Sequence, residues 1–211
     1  MVALTFDDGP DAAWTPLVLD ALDAAGVHAT FFVVAEQIEQ PGGEALLVET
    51  LTRGHEVQMH CARHVRHEEL ALEELLADAR QVASALSARG APAPTLWRPP
   101  YGSVSPGCSC VAAAEHGVQL VRWSWDTVDY RGLPAAEMLQ RARGGLRADS
   151  VVLMHDSRRY SSTPEGGARG TVELIAGLVE LAGERGWAVG PLSGPLADAH
   201  GDAFLLPCAG H

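Results

Sequence analysis

Residues 1–10 read MVALTFDDGP. Val2 to Phe6 are apolar apart from Thr5, which reads as a buried strand. Asp7 and Asp8 follow side by side, and Gly9-Pro10 turns the chain directly behind them. Adjacent carboxylates repel each other and both resist burial. Something nearby has to offset that cost, and the rest of the chain is read for what it is.

Working outward, short apolar strands alternate with helical patterns. Residues 14–25 (WTPLVLDALDAA) have apolar side chains at helical spacing, Pro16 in the first turn and Gly26 as a stop. Residues 28–34 (HATFFVV) are β-branched and aromatic, a second strand. A helix over 44–52 and a strand over 55–59 (HEVQM) come next, then the longest helix, 68–89, stopped by Gly90. Strands are expected at 95–98, 118–124, 150–154 and 187–189, and helices at 111–116, 135–143 and 171–185. Strands separated by helices imply parallel pairing with right-handed crossovers. Strands apolar on both faces fit a sheet covered by helices. The expected fold is α/β, a distorted (β/α) barrel with about seven parallel strands, closed or nearly so. One domain is expected over residues 1–211, with its core in 2–190 and a Gly/Pro/Ala-rich tail over 191–211.

The 211 residues are 47% hydrophobic and 20% charged, enough to bury a core without staples. A net charge of -12 argues against nucleic acid and anionic membranes as partners. No segment has the apolar length of a transmembrane helix, and Met1 runs straight into strand residues with no signal-peptide pattern. If Met1 is the native start, the expectation is a cytoplasmic protein. Cys61, Cys108, Cys110 and Cys208 then read as reduced thiols, with a bridge from Cys208 to Cys108 or Cys110 as the alternative.

Nearly every polar cluster lies just after an expected strand: Asp7-Asp8, then His60, His64 and His67, then Arg98-Pro99-Pro100-Tyr101-Gly102, then Asp126 and Asp129, then His155-Asp156. In parallel α/β folds the strand ends open on one face, where active sites are built. Carboxylate and imidazole together suit zinc and related divalent ions. His60 and His64, four apart, would share one face of a helical turn, and a carboxylate from the first strand would complete an Asp-His-His set. Taken singly, each cluster has a plainer reading: Asp7-Asp8-Gly9-Pro10 as a turn, the histidines as surface or structural groups, Asp126 and Asp129 as turn or cap residues.

The order of the clusters resembles one family. TFDDGP (5–10), HCARH (60–64), RPPYG (98–102), DTVDY (126–130) and LMH (153–155) are similar, in sequence order, to the motifs of the polysaccharide deacetylases, carbohydrate esterase family four. The stretch TPLVLDALDAAGVHATFFV (15–33) also resembles that family. The resemblance covers residues 2 to 190 and implies a metal-dependent hydrolase that removes the N-acetyl group of an amino sugar or related saccharide and releases acetate. It implies a divalent metal, zinc first with cobalt or nickel as alternatives, held by Asp8, His60 and His64. It makes Asp7 the general base, Arg98 its partner, His155 the general acid and Asp129 the group that favours protonated His155. The Tyr101 backbone N–H would steady the oxyanion, and Leu153 would line the acetyl pocket. Pro100, Tyr101, Tyr130 and Trp125 are the further expected substrate contacts, with a small-molecule or oligosaccharide substrate as partner. Cys61, Val65 and Tyr130 depart from the residues usual at their motif positions. The alternatives on the same fold are a cyclic amide or imide hydrolase, an O-deacetylase, and a non-catalytic carbohydrate-binding relative.

Overall fold

The computed structural model of the chain describes residues 1–161 and 167–192. The expected tail therefore lies outside the described residues from 193 onward.

Strand β1 (Val2–Asp7) is buried along its whole length and sits near the middle of the sheet. It pairs in parallel with β2 (Thr30–Val34) on one side and β7 (Val151–His155) on the other. Beyond β2 come β3 (Glu56–Cys61), β4 (Leu96–Trp97) and β5 (Gln119–Leu120), and beyond β7 comes β6 (Trp125–Asp126). An eighth strand, β8 (Val189–Gly190), pairs with the start of β1. The seven-strand path curls into the expected distorted (β/α) barrel. It ends at β5 and β6, which do not pair with each other among the described residues. No helix among the described residues is long and apolar enough to cross a membrane.

The helices are α1 (Thr15–Ala25), the short α2 (Ala35–Ile38), α3 (Gly43–Thr52), α4 (Leu72–Ser87), α5 (Cys108–Glu115), α6 (Ala135–Gly145) and α7 (Arg169–Glu184). They cover the outer face, where Val2, Leu4 and Phe6 of β1 join the main core with Val57, Met59, Val152 and Met154. Strand side chains alternate between faces, so the remaining residues of these strands point inward: Ala3, Thr5 and Asp7, Gln58 and His60, Val151, Leu153 and His155. Each inward column starts small, apolar or hydrogen-bonded and ends, at the carboxyl end, in a titratable group.

The interior is not apolar throughout, as the strand composition suggested. Gln58 accepts the N–H groups of Thr95 and Leu96 at 2.9 Å each and donates to Glu56, which accepts from Thr30 at 2.6 Å. The polar groups satisfy one another, which is the condition for burying them.

Several element bounds differ from expectation for local reasons. Of the expected strand 118–124 only β5 forms, because residues 121–124 cross between the two edges of the open sheet to reach β6 at Trp125. Arg122 is fixed on the way, its carbonyl accepting from Arg98 at 3.0 Å and its Nε donating to Gly102 at 2.9 Å. The expected helix 68–89 is a single 3-10 turn (His67–Glu69) and then α4, with Leu70 and Ala71 extended between them and the Ala71 N–H capped by Glu74. Cys61 and Cys108 are free thiols, but Cys110 is disulfide-bonded, which corrects the reading of four reduced cysteines. Cys208 lies outside the described residues.

Candidate active site

Asp7 ends β1 facing the barrel interior, and Asp8 has a backbone φ of +79°. Strand alternation would send Asp8 to the other face; the left-handed backbone brings its carboxylate to the same cavity. Aspartate tolerates that region better than most residues. The next residue has to be glycine: a Cβ on Gly9 would lie 2.2 Å from the buried Asp156 carboxylate. The described non-glycine residues with positive φ are Asp8, Tyr101 and Val128, each in or beside this cavity, where backbone strain commonly collects.

His60 belongs to β3, not to a helical turn. The β2–β3 register steps from Val33↔Met59 to Val34↔Cys61 and leaves His60 out of the ladder, the kind of bulge that aims a side chain at a strand end. His64 arrives from the loop that follows. The two imidazoles therefore meet by a strand end and a loop, and the four-residue spacing is correct for a different reason from the one expected. That loop is held by Asp78 of α4, which accepts from the N–H groups of Ala62 (2.9 Å) and Arg63 (3.4 Å).

Asp8 Oδ1 is 3.3 Å from His60 Nε2 and 3.2 Å from His64 Nε2, and one ligand atom from each residue lies within 4.8 Å of the others. His60 Nδ1 is 2.6 Å from the Arg98 carbonyl. A carbonyl only accepts, so Nδ1 carries the proton and, in the neutral ring, Nε2 presents a lone pair to a carboxylate oxygen. Asp8 Oδ1 is buried with no hydrogen-bond donor. Lone pairs facing one another at this distance need a cation between them, and two imidazoles with a carboxylate are the donor set of a divalent ion. The residues fit the metal that the sequence pattern implies.

Asp7 is 3% exposed and Arg98 is fully buried. Arg98 Nη1 donates to Asp7 Oδ1 at 2.8 Å and to Thr5 at 2.7 Å, with the guanidinium stacked over Phe32 at 4.1 Å. A charge so deep persists only when paired and hydrogen-bonded, and the pair fixes Asp7 with Oδ1 occupied and its side chain lining the cavity.

His155 ends β7, beside Asp7 in the register of the two strands. Its Nδ1 is 2.8 Å from Asp129 Oδ1, and its backbone N–H donates to Asp129 Oδ2 at 2.8 Å. Thr171 donates to Oδ2 at 2.7 Å, and Arg158 donates to the Asp129 carbonyl. Burial alone would lower the His155 pKa, but Asp129 and, more weakly, Asp8 and Asp7 raise it to about 10. His155 is therefore protonated at neutral pH. Removing the Asp129 charge leaves burial less opposed, so the pKa must fall. The expected result for Asp129→Asn is an alkaline limb of the kcat/KM profile displaced to lower pH; a limb that stays in place would separate Asp129 from the protonation of His155.

These groups face a cavity of about 490 Å³. Leu153 and Tyr130 line it, as expected, with Tyr130 edge-on to His155 at 5.8 Å. Tyr101 is half exposed at the mouth, and Gly102 and Ser103 N–H bond to Pro99 and Pro100 while the Tyr101 N–H stays out of that turn. Two expected substrate contacts are placed elsewhere. Pro100 is buried and does not line the cavity, and Trp125 packs on α6, its Nε1 2.6 Å from where a Gly145 Cβ would stand. Trp123 lines the cavity instead. His67, grouped with His60 and His64 in the sequence, is buried against Trp97 and Ser109, and burial lowers its pKa to about 3.

The polysaccharide deacetylase family model matches residues 1–141. The chain belongs to the polysaccharide deacetylase family. The peptidoglycan-N-acetylglucosamine deacetylase PgdA of Listeria monocytogenes is 35% identical over 161 residues, which are 76% of this chain and 33% of that protein. The chain thus spans a third of that relative's length. The chitooligosaccharide deacetylase of a Bradyrhizobium species is 31% identical over 200 residues, 90% of this chain and 88% of that one. Among solved structures, a family 4 carbohydrate esterase from Streptomyces lividans in complex with acetate superposes with a TM-score of 0.80 at 26% identity, covering 91% of this chain and 92% of that one.

Within this deacetylase-family site the sequence reading missed Tyr160, Trp123 and Asp156. Tyr160 stacks on His64 with ring centroids 4.4 Å apart, and its hydroxyl donates to Glu36 and accepts from Gln37 at 2.8 Å. Asp156 is buried beneath Gly9 and accepts from Thr15 at 2.5 Å. Neither carried a signal: Tyr160 sits in an aperiodic loop five residues past His155, and Asp156 read as the tail of the His155 cluster.

Proposed function

We propose that this chain is a divalent-metal-dependent N-deacetylase that hydrolyses the acetamide of an N-acetylglucosamine-type saccharide to the free amine and acetate. One observation carries the reading: Asp7 and His155 line one cavity with the Asp8–His60–His64 cluster, Asp7 paired with Arg98 and His155 held protonated by Asp129. A candidate base paired with a buried arginine and a protonated acid then line one cavity with the ligand cluster. The named relatives act on peptidoglycan N-acetylglucosamine and chitooligosaccharide, and the Streptomyces lividans structure holds acetate, which supports the substrate class.

Asp8, His60 and His64 would hold the ion, zinc for preference, with cobalt or nickel also suited to imidazole and carboxylate. When bound, the ion supplies a lowered water pKa and a polarised carbonyl. The protein's own groups do the rest. Asp7 takes the proton from the water whose oxygen adds to the acetyl carbon. The Tyr101 N–H, left out of its own turn, is available to the developing oxyanion. His155 then delivers its proton to the amine nitrogen as the C–N bond breaks, and Leu153 packs against the acetyl methyl. One water is consumed, and amine and acetate leave.

The test is acetate release from N-acetylglucosamine oligomers. A chelator should stop it and added zinc or cobalt should restore it. Full turnover by metal-stripped protein would refute the reading.

A further inference from the structure

The two histidines of the cluster are oriented differently. A metal-ligating histidine is normally oriented by a hydrogen bond on its second ring nitrogen. His60 has one, from Nδ1 to the Arg98 carbonyl at 2.6 Å. His64 has none: its Nδ1 is buried and without a partner. Contact with two aromatic rings stands in its place. Tyr101 meets the imidazole edge-on at 4.6 Å and 67°, and Tyr160 lies flat against it at 4.4 Å and 11°.

Tyr160 is itself fixed. Its hydroxyl donates to the Glu36 carboxylate and accepts from Gln37 Nε2 at 2.8 Å. The Glu36 backbone N–H donates to the Ala62 carbonyl at 3.2 Å, in the loop that carries His64. The phenol thus ties the loop after β7 to α2 and, through α2, to the loop after β3. The ring is clamped at its far end and its face is pressed on the ligand.

We infer that Tyr160 is the positioning residue for the metal ligand His64, orienting the imidazole by stacking where the usual hydrogen bond is missing, with Glu36 and Gln37 as the anchor of the stack. The inference rests on the reading of Asp8, His60 and His64 as the metal site. Without the stack, the His64 ring rotates about its side-chain bonds and pays an ordering cost on binding.

The test is the zinc affinity of the full chain, measured by competition with a chromophoric chelator, together with the thermal midpoint of each metal-free protein. Tyr160→Leu should weaken zinc binding about 10–100-fold, the loss usual for removal of a ligand's orienting partner, with the metal-free midpoint close to wild type. Tyr160→Phe, which keeps the ring, should recover most of that affinity. His64→Ala is the control. If His64→Ala weakens zinc and Tyr160→Leu does not, the inference is overturned and the metal site stands. If His64→Ala leaves the affinity unchanged, the metal site itself is wrong and the inference falls with it. Equal losses in Tyr160→Phe and Tyr160→Leu, or a metal-free Tyr160→Leu protein that unfolds below the assay temperature, would contradict orientation by stacking.

Discussion

Asp7→Asn keeps the metal and loses the rate. The variant retains an oxygen for the bond from Arg98, so the geometry around Arg98 persists, but it cannot take a proton from water. Removal of a positioned general base costs about 10²–10⁴-fold. The buried Arg98 loses its anionic partner as well, and breaking a buried pair costs on the order of 3–5 kcal/mol. The remaining bonds to Thr5 and the Arg122 carbonyl and the stack on Phe32 keep that toward the lower end. A domain with about 5–15 kcal/mol of stability survives such a loss, so the lost turnover reports chemistry and not unfolding. The measurements are kcat and bound zinc on the same sample, with a lowered thermal midpoint alongside. An active Asp7→Asn protein would remove Asp7 from the base role.

Asp8→Asn does the reverse. Asparagine tolerates the positive φ that Asp8 adopts, so the turn is preserved while the charged ligand between His60 and His64 is lost. Zinc affinity should fall by more than the ~10–100-fold that an outer partner is worth, and turnover should go with it. A ligand that binds only the folded state raises its stability. Added zinc should therefore raise the thermal midpoint of wild type and of Asp7→Asn but not of Asp8→Asn. Equal zinc-induced shifts in all three would place the ion elsewhere.

The order of strands and helices was legible because the strands are short, apolar and separated by helices with glycine stops. The convergence of Asp7, His60, Arg98, Asp129 and His155 followed from the parallel topology, since every such strand delivers its carboxyl end to one face. Four things were not legible. The backbone of Asp8 turns against strand alternation, and no residue preference announces a left-handed aspartate. His60 looked helical because the spacing to His64 is four, whereas a register shift in β3 does the aiming. Trp125 and Trp123 are two apart across the point where the chain leaves one sheet edge for the other, and the sequence does not mark which of them faces the cavity. Tyr160 was invisible for a simpler reason: stacking partners in loops follow no period.

The central claim is that Asp8, His60 and His64 hold a divalent ion in the cavity that Asp7 and His155 also line. Crystals grown with zinc and measured at its absorption edge test it directly. The account predicts one strong anomalous peak at about 2.0–2.2 Å from an Asp8 carboxylate oxygen and from both Nε2 atoms. A map with no peak there and the Asp8 side chain turned away, from protein that still releases acetate, would contradict it.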